Sequence, residues 1–158
     1  LAVGRRGNPR RLGVPGEDRE NVFYDIVEME AFRGRRVLVV GGGDSALESA
    51  VGLANQEGTQ VTLSYRGTDF ARAKERNVAK LAAAEEAGRL RVMRGSAVRS
   101  IEPGRVILEC AEGPETLPND DVVVRIGGES PNRFLEKVGI HVVRKQIPLA
   151  QAAGSVPA

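Results

Sequence analysis

The residues best suited to chemistry in this sequence are Gly41, Gly43 and Ala46, spaced Gly-x-Gly-x-x-Ala within VLVVGGGDSALESA. They follow a β-branched run and open a helix-forming stretch, the context in which such spacing binds a dinucleotide. Gly41 permits a tight turn, and Gly43 lets the backbone approach a pyrophosphate. Ala46, in the third small position, keeps the helix close to the strand. Gly42 completes the loop. Unbonded amides at the helix start and its partial positive charge would then face the phosphates. Asp44 and Ser45 fall in the first turn, where short polar side chains cap well and reach a ligand hydroxyl or phosphate. A glycine-rich turn that binds nothing is the plain alternative.

The choice of dinucleotide rests on the next strand end, Leu63-Ser64-Tyr65-Arg66-Gly67. An NAD site places a carboxylate there, about twenty residues beyond the glycines, to accept hydrogen bonds from the adenosine ribose. This sequence has Arg66 instead, with Arg72 close behind. Guanidinium groups suit a 2′-phosphate, so NADPH is favoured and NADH stays open. Tyr65 is placed to stack on adenine. Lys74 and Arg76 read as a solvated helix face.

No other residue stands out as a general acid, nucleophile or metal ligand. Cys110 is the single cysteine, within RVILEC, and reads as a small packed side chain. It excludes an intrachain disulfide and any cluster built on thiolates. His141 is the single histidine and reads as structural. The net charge of +2, evenly spread, argues against a nucleic-acid surface. No stretch approaches the roughly 20 apolar residues that span a bilayer, and no signal peptide is visible, which leaves the cytoplasm as the default location.

The elements that must position these residues read clearly. With 158 residues, 41% of them hydrophobic, the chain suits one domain with its own core. Residues 36–40 form a short apolar strand buried on both faces. Residues 44–57 carry a helical apolar stripe that ends at Gly58, and QVTLSY is a second strand. Residues 70–87 form a second helix closed by Gly88, and LRVMR is a third strand. SAVRSIEPGRVILEC reads as a hairpin about Pro103-Gly104, and GPETLPND adds a turn and a short strand. DVVVRIG is again a buried strand, ending at Gly127-Gly128. The fold class is α/β: a Rossmann-like three-layer domain with a central parallel sheet and an antiparallel β-meander crossover. The first 22 residues, which open on an apolar scrap at Leu1–Val3 without a methionine, read as linker and suggest a piece of a longer chain. QIPLAQAAGSVPA reads as a poorly ordered end.

Together these segments resemble the pyridine-nucleotide-dependent flavoprotein reductases of the thioredoxin reductase type. VVGGGDSALESA is similar to their NADPH-site glycine loop, and SYRGTDFARA to their basic segment. LAVGRRGNPRRLGVPGE resembles the crossover leaving the FAD domain, and DDVVVRIGGESPN the strand returning to it. The resemblance implies that Gly41, Gly43, Asp44, Ser45, Ala46 and Glu48 line the pyrophosphate and nicotinamide side. It implies that Tyr65, Arg66 and Arg72 hold the adenosine phosphate and that Gly127 approaches the nicotinamide. Tyr65 stands where the family usually has histidine, and Gly67 where it has a second arginine.

Thioredoxin reductases carry a Cys-x-x-Cys pair just before this glycine loop, whereas NVFYDIVEMEAFRGRR contains no cysteine. Ferredoxin-NADP reductases of this fold and bacillithiol-disulfide reductase-like proteins lack that pair too and are the better analogues. FAD motifs are likewise missing from these 158 residues. The implied function is an NADPH-binding domain that positions the nicotinamide for hydride transfer to FAD held elsewhere in the parent chain. The implied layout is a crossover remnant at 1–22, an NAD(P)-binding domain at 23–145 and a flexible tail at 146–158. Its partner is then the parent's FAD domain, a homodimer is open to it, and the electron acceptor is not specified. The competing reading is a non-catalytic NAD(P)-sensing or assembly domain.

Overall fold

Strand β2, Arg36–Val40, organises the domain. Its side chains alternate, so Val37 and Val39 bury on one face and Leu38 and Val40 on the other. A strand apolar on both sides has to lie inside a sheet covered above and below. The computed structural model describes residues 9–127 and Gly139, all but Gly139 within one compact unit, Asn8–Glu129. Expectations for Leu1–Val3, Gly128, His141 and the 146–158 tail lie outside the described residues.

The remaining elements are β1 (Val22–Phe23), α1 (Asp44–Ala54), β3 (Gln60–Tyr65), α2 (Glu75–Glu86), β4 (Leu90–Arg94), β5 (Ala97–Glu102), β6 (Arg105–Cys110), β7 (Gly113–Pro118) and β8 (Asp121–Val124), with a 3₁₀ turn at Met29–Phe32. Five strands form a parallel sheet in the order β1-β8-β2-β3-β4. β5, β6 and β7 form an antiparallel meander. One sheet face packs on α1 and α2 through Leu47, Leu53 and Leu81, and the other packs on the meander through Ile101, Val106 and Leu108. These are the three layers that the alternation of sequence patterns implies. From β2 the chain builds outward to β3 and β4, then returns across the meander to add β8 on β2's other side. The strand order therefore reverses beside β2, and ligands of open α/β sheets bind beyond the carboxyl ends of the strands at such a point.

Three helix boundaries differ from those read in sequence, the end of the second helix by one residue only, at Glu86. The first helix stops at Ala54, with Asn55 as its C-cap, three residues before the predicted end. The second begins at Glu75 and not at residue 70, and its N-cap, Lys74, makes no capping side-chain hydrogen bond of its own. Asp44 supplies the cap from the other helix, accepting the Lys74 amide at 2.8 Å. β1 has no counterpart in the sequence reading. Two residues are too few to show periodicity, and this strand exists only through its pairing with β8.

At the amino end of the sheet, ion pairs clip β8 to β2. The Arg36 guanidinium donates to Asp120 at 3.1 and 2.8 Å, and the Arg36 amide donates to the same carboxylate at 2.8 Å. Arg35 pairs likewise with Asp121. The Arg36 side chain, then its amide, hold the Asp120 carboxyl down at about 2. A carboxyl lowered on folding stabilises above its unfolded pKa and loses that contribution as pH falls through the folded value. Asp120→Asn should thus cost about 1–2 kcal/mol at pH 7, the worth of a half-exposed charge-assisted pair. In urea unfolding, the gap between wild type and variant should shrink from about pH 4 downward and close near pH 2.

Candidate functional site

β2 ends at Val40, and the turn into α1 is drawn tight. The Gly41 amide donates to the Ser64 carbonyl at 3.0 Å, tying the turn to β3. Gly41 has φ +145, and a Cβ here would overlap the Arg125 carbonyl oxygen and come within 2.9 Å of the Ala46 methyl. No side chain fits at Gly41. Ala46 itself is fully buried.

Gly43 differs. Its extended backbone (φ −95, ψ −179) is open to any residue, and an added Cβ would meet nothing within 4 Å. The protein's own packing does not require glycine there, so the missing side chain leaves open space over the helix start. The Ala46 and Leu47 amides donate to the Gly43 carbonyl, both at 3.1 Å, while those of Gly42, Gly43, Asp44 and Ser45 have no acceptor among the described residues. Four unbonded N–H groups at a helix start form a site for an anion.

A cleft of about 430 Å³ runs from Gly41 and Gly42 past Ser64 and Tyr65 to Arg66 and Arg72. Arg10, Arg11 and Leu12 form another part of its wall, and no lining residue is acidic. Arg10, Arg66 and Arg72 are exposed and have no carboxylate partner among the described residues. Arg11 is paired with Asp18 and lies 3.7 Å from Glu17. Beneath the cleft, the buried hydroxyls of Ser64 and Ser96 meet at 2.7 Å, and Ser96 donates to the Met93 carbonyl, so this floor is internally satisfied. The chemistry on offer is recognition of a multiply charged anion: amides at one end, guanidinium groups at the other.

The structure thus gathers Gly41, Gly42, Tyr65, Arg66 and Arg72 on one cleft, with Gly43 and Ser45 at the adjoining helix start. It commits Asp44 and Glu48 to α2. The Asp44 carboxylate accepts from the Lys74 amide and from Asn77 at 2.7 Å, and these bonds hold its pKa below the usual range. Glu48 accepts from the same Asn77 amide group at 3.0 Å. Gly127 is exposed, and its carbonyl accepts the Arg10 amide at 3.0 Å. Tyr65 does not stand free as a stacking platform. Its ring stacks on Phe70 (centroids 4.9 Å, 21° between planes), and a Cβ on Gly42 or Gly67 would overlap it. Gly67 is small to accommodate Tyr65. Arg10 and Arg11 are functional candidates that the sequence alone does not single out: two adjacent arginines ahead of LGVPGE are a visible signal, but without a period they read only as linker.

The family model described as pyridine nucleotide-disulphide oxidoreductase matches residues 1–154. A ferredoxin–NADP reductase of Ignicoccus hospitalis is 36% identical over 154 residues, covering 93% of this chain and 48% of that protein. The bacilliredoxin reductase of Bacillus subtilis is 31% identical over 144 residues, covering 90% of this chain and 44% of its own length. Among solved structures, a bacillithiol disulfide reductase from Bacillus cereus superposes with a TM-score of 0.80 at 26% identity, over 87% of this chain and 43% of that one. Thioredoxin reductase of Lactococcus lactis shares the fold at a TM-score of 0.72 and 24% identity, over 85% and 46% of the two chains. This chain belongs to the pyridine nucleotide-disulphide oxidoreductase family, and it spans about half the length of the relatives it matches. No helix among the described residues is long and apolar enough to cross a membrane.

The two outer glycines of the loop should separate on mutation. Gly41→Ala is expected to cost about 3 kcal/mol or more, combining positive-φ strain with steric overlap. Gly43→Ala should cost at most about 1 kcal/mol, the ordinary difference between Gly and Ala at an N-cap. Denaturant midpoints of the two variants test this directly; similar losses would contradict the assignment.

Proposed function

We propose that this chain is the NADPH-binding part of a flavin-dependent oxidoreductase whose FAD is held by residues outside it. The observation that carries the reading is the polarity of the cleft. Amides without acceptors lie at the β2–α1 turn, Arg66 and Arg72 lie beyond β3, and no lining residue is acidic. A dinucleotide with a third phosphate on its adenosine has that charge distribution. The amides of residues 42–45 would receive the pyrophosphate, and Arg66 with Arg72 the 2′-phosphate. Gly127, just past β8, would adjoin the nicotinamide portion. The relatives named as ferredoxin–NADP reductases support NADPH over NADH.

In this reading the residues position and do not react. NADPH, when bound, supplies a hydride to a flavin, and the protein's contribution is orientation. Gly41 fixes the turn, Gly43 leaves room over it, and Arg66 and Arg72 select the phosphorylated nucleotide. The layout that goes with it is a crossover from an FAD domain at 1–22, the nucleotide domain at 23–145 and a tail at 146–158. The acceptor beyond the flavin is set by parts of the protein outside these residues.

Titration calorimetry with NADPH and NADH tests the proposal. Wild type should bind NADPH more tightly. Arg66→Ala should weaken NADPH by about 1.5–3 kcal/mol, the worth of a charge-assisted hydrogen bond, and leave NADH nearly unchanged. Gly43→Ala should weaken both nucleotides without unfolding the protein. Equal losses for the two nucleotides on Arg66→Ala would refute its assignment to the 2′-phosphate.

A further inference from the structure

We infer that Arg10 is a phosphate-contacting residue of the same cleft, directed at the pyrophosphate that NADPH and NADH share. The inference rests on the nucleotide reading above and adds a residue from the segment that the sequence presents as mere linker.

The segment around Arg10 is fastened on both sides. On one side, Glu17, only 6% exposed, accepts the Gly13 amide at 2.8 Å, the Leu12 amide at 2.5 Å and the Tyr24 hydroxyl at 2.6 Å. Burial raises the Glu17 carboxyl, but the Tyr24, Leu12 and Gly13 hydrogen bonds and Arg11 outweigh it and hold the group ionised. The Ile101 amide donates to the Pro15 carbonyl at 2.9 Å, and a Cβ on Gly16 would overlap the Ile101 carbonyl, so the segment lies directly on β5. On the other side, the Arg10 amide donates to the Gly127 carbonyl. A chain tied down at both ends has its backbone already ordered, so only side-chain freedom is lost when Arg10 meets a ligand.

The two adjacent arginines are then not equivalent. Arg11 is neutralised by Asp18 and Glu17, whereas Arg10 lines the cleft without a carboxylate partner among the described residues. Arg10 is also anchored differently from Arg66 and Arg72. They follow β3, while its backbone is bonded to Gly127, just past β8, where the strand order reverses beside β2. The β2–α1 turn with its unbonded amides borders the same crevice, since the Arg125 carbonyl closes on Gly41 there. That placement assigns Arg10 to the phosphates beside the turn and not to the one on adenosine.

The test is calorimetric titration of the full chain with NADPH and with NADH, on wild type, Arg10→Gln, Arg10→Lys and Arg66→Gln. Arg10→Gln should weaken both nucleotides by the same factor, about tenfold, and flatten the dependence of affinity on salt. Arg10→Lys should restore most of the loss, and Arg66→Gln should affect NADPH alone. Wild-type affinity in Arg10→Gln, or a loss confined to NADPH, overturns this inference while leaving the nucleotide reading standing. Failure of wild type to bind either nucleotide overturns both.

Discussion

Where β2 runs into α1, the Arg125 carbonyl and the Ala46 methyl both crowd the place that a Gly41 side chain would take. This approach sets the distance between strand and helix and the direction in which α1 leaves the sheet. Both neighbours are themselves fixed: Ala46 is fully buried, and the Arg125 amide donates to Val40 at 2.8 Å, which extends the β2–β8 pairing to its end. The turn cannot relax without moving α1 or β8. Four amides without an acceptor among the described residues therefore sit on a rigid base, the preorganisation that charge recognition requires. The same backbone on a mobile loop would lose much of its affinity to ordering.

A second constraint acts through Glu17. Burying a carboxylate is costly unless hydrogen bonds and a partner charge compensate it, and Glu17 has both. Burial first, and then the hydrogen bond to Glu17 and its charge, raise the Tyr24 hydroxyl to about 12. The result is a polar knot in a segment without regular secondary structure. Hydrophobic packing would be a poor substitute, because the stretch from Arg10 to Glu20 offers only Leu12, Val14 and Pro15 as apolar anchors. Leu12 and Val14 do pack against the meander-side core, and Glu17 fixes the path between them and β1.

The fold was largely legible in the sequence because its signals are local. Val37–Val40 is apolar at every position, as suits a doubly covered strand, and Gly88 stands at positive φ just past the C-cap of its helix. What escaped depended on tertiary partners. α2 begins late because its capping group is Asp44, thirty residues away. That bond and those from Asn77 commit Asp44 and Glu48 to helix packing, although the family resemblance implies that both line the pyrophosphate and nicotinamide side. Tyr65 is held by Phe70 and enclosed by Gly42 and Gly67, a relation visible only once β2 and β3 lie side by side. The candidate site was legible in its glycines and in Arg66 and Arg72. Arg10 was not, because linker composition says nothing about where a linker lies.

The arginines at the two ends of the sheet differ in a way that fold stability does not explain. At the amino end, Arg35 and Arg36 each meet a carboxylate at the start of β8, in paired geometry that joins neighbouring strands. At the carboxyl end, Arg10, Arg66 and Arg72 surround a cleft to which no acidic residue contributes. Like charges gathered around a cleft repel one another, and folding alone gains nothing from keeping them there. Carboxylates are not scarce in a chain with 21 of them against 23 basic residues, so their absence from this one cleft is a matter of placement. On the reading proposed above, the counter-charge of this cleft would arrive with the nucleotide. Binding of the proposed nucleotide would then relieve repulsion that the free domain carries, and part of the affinity would derive from that relief.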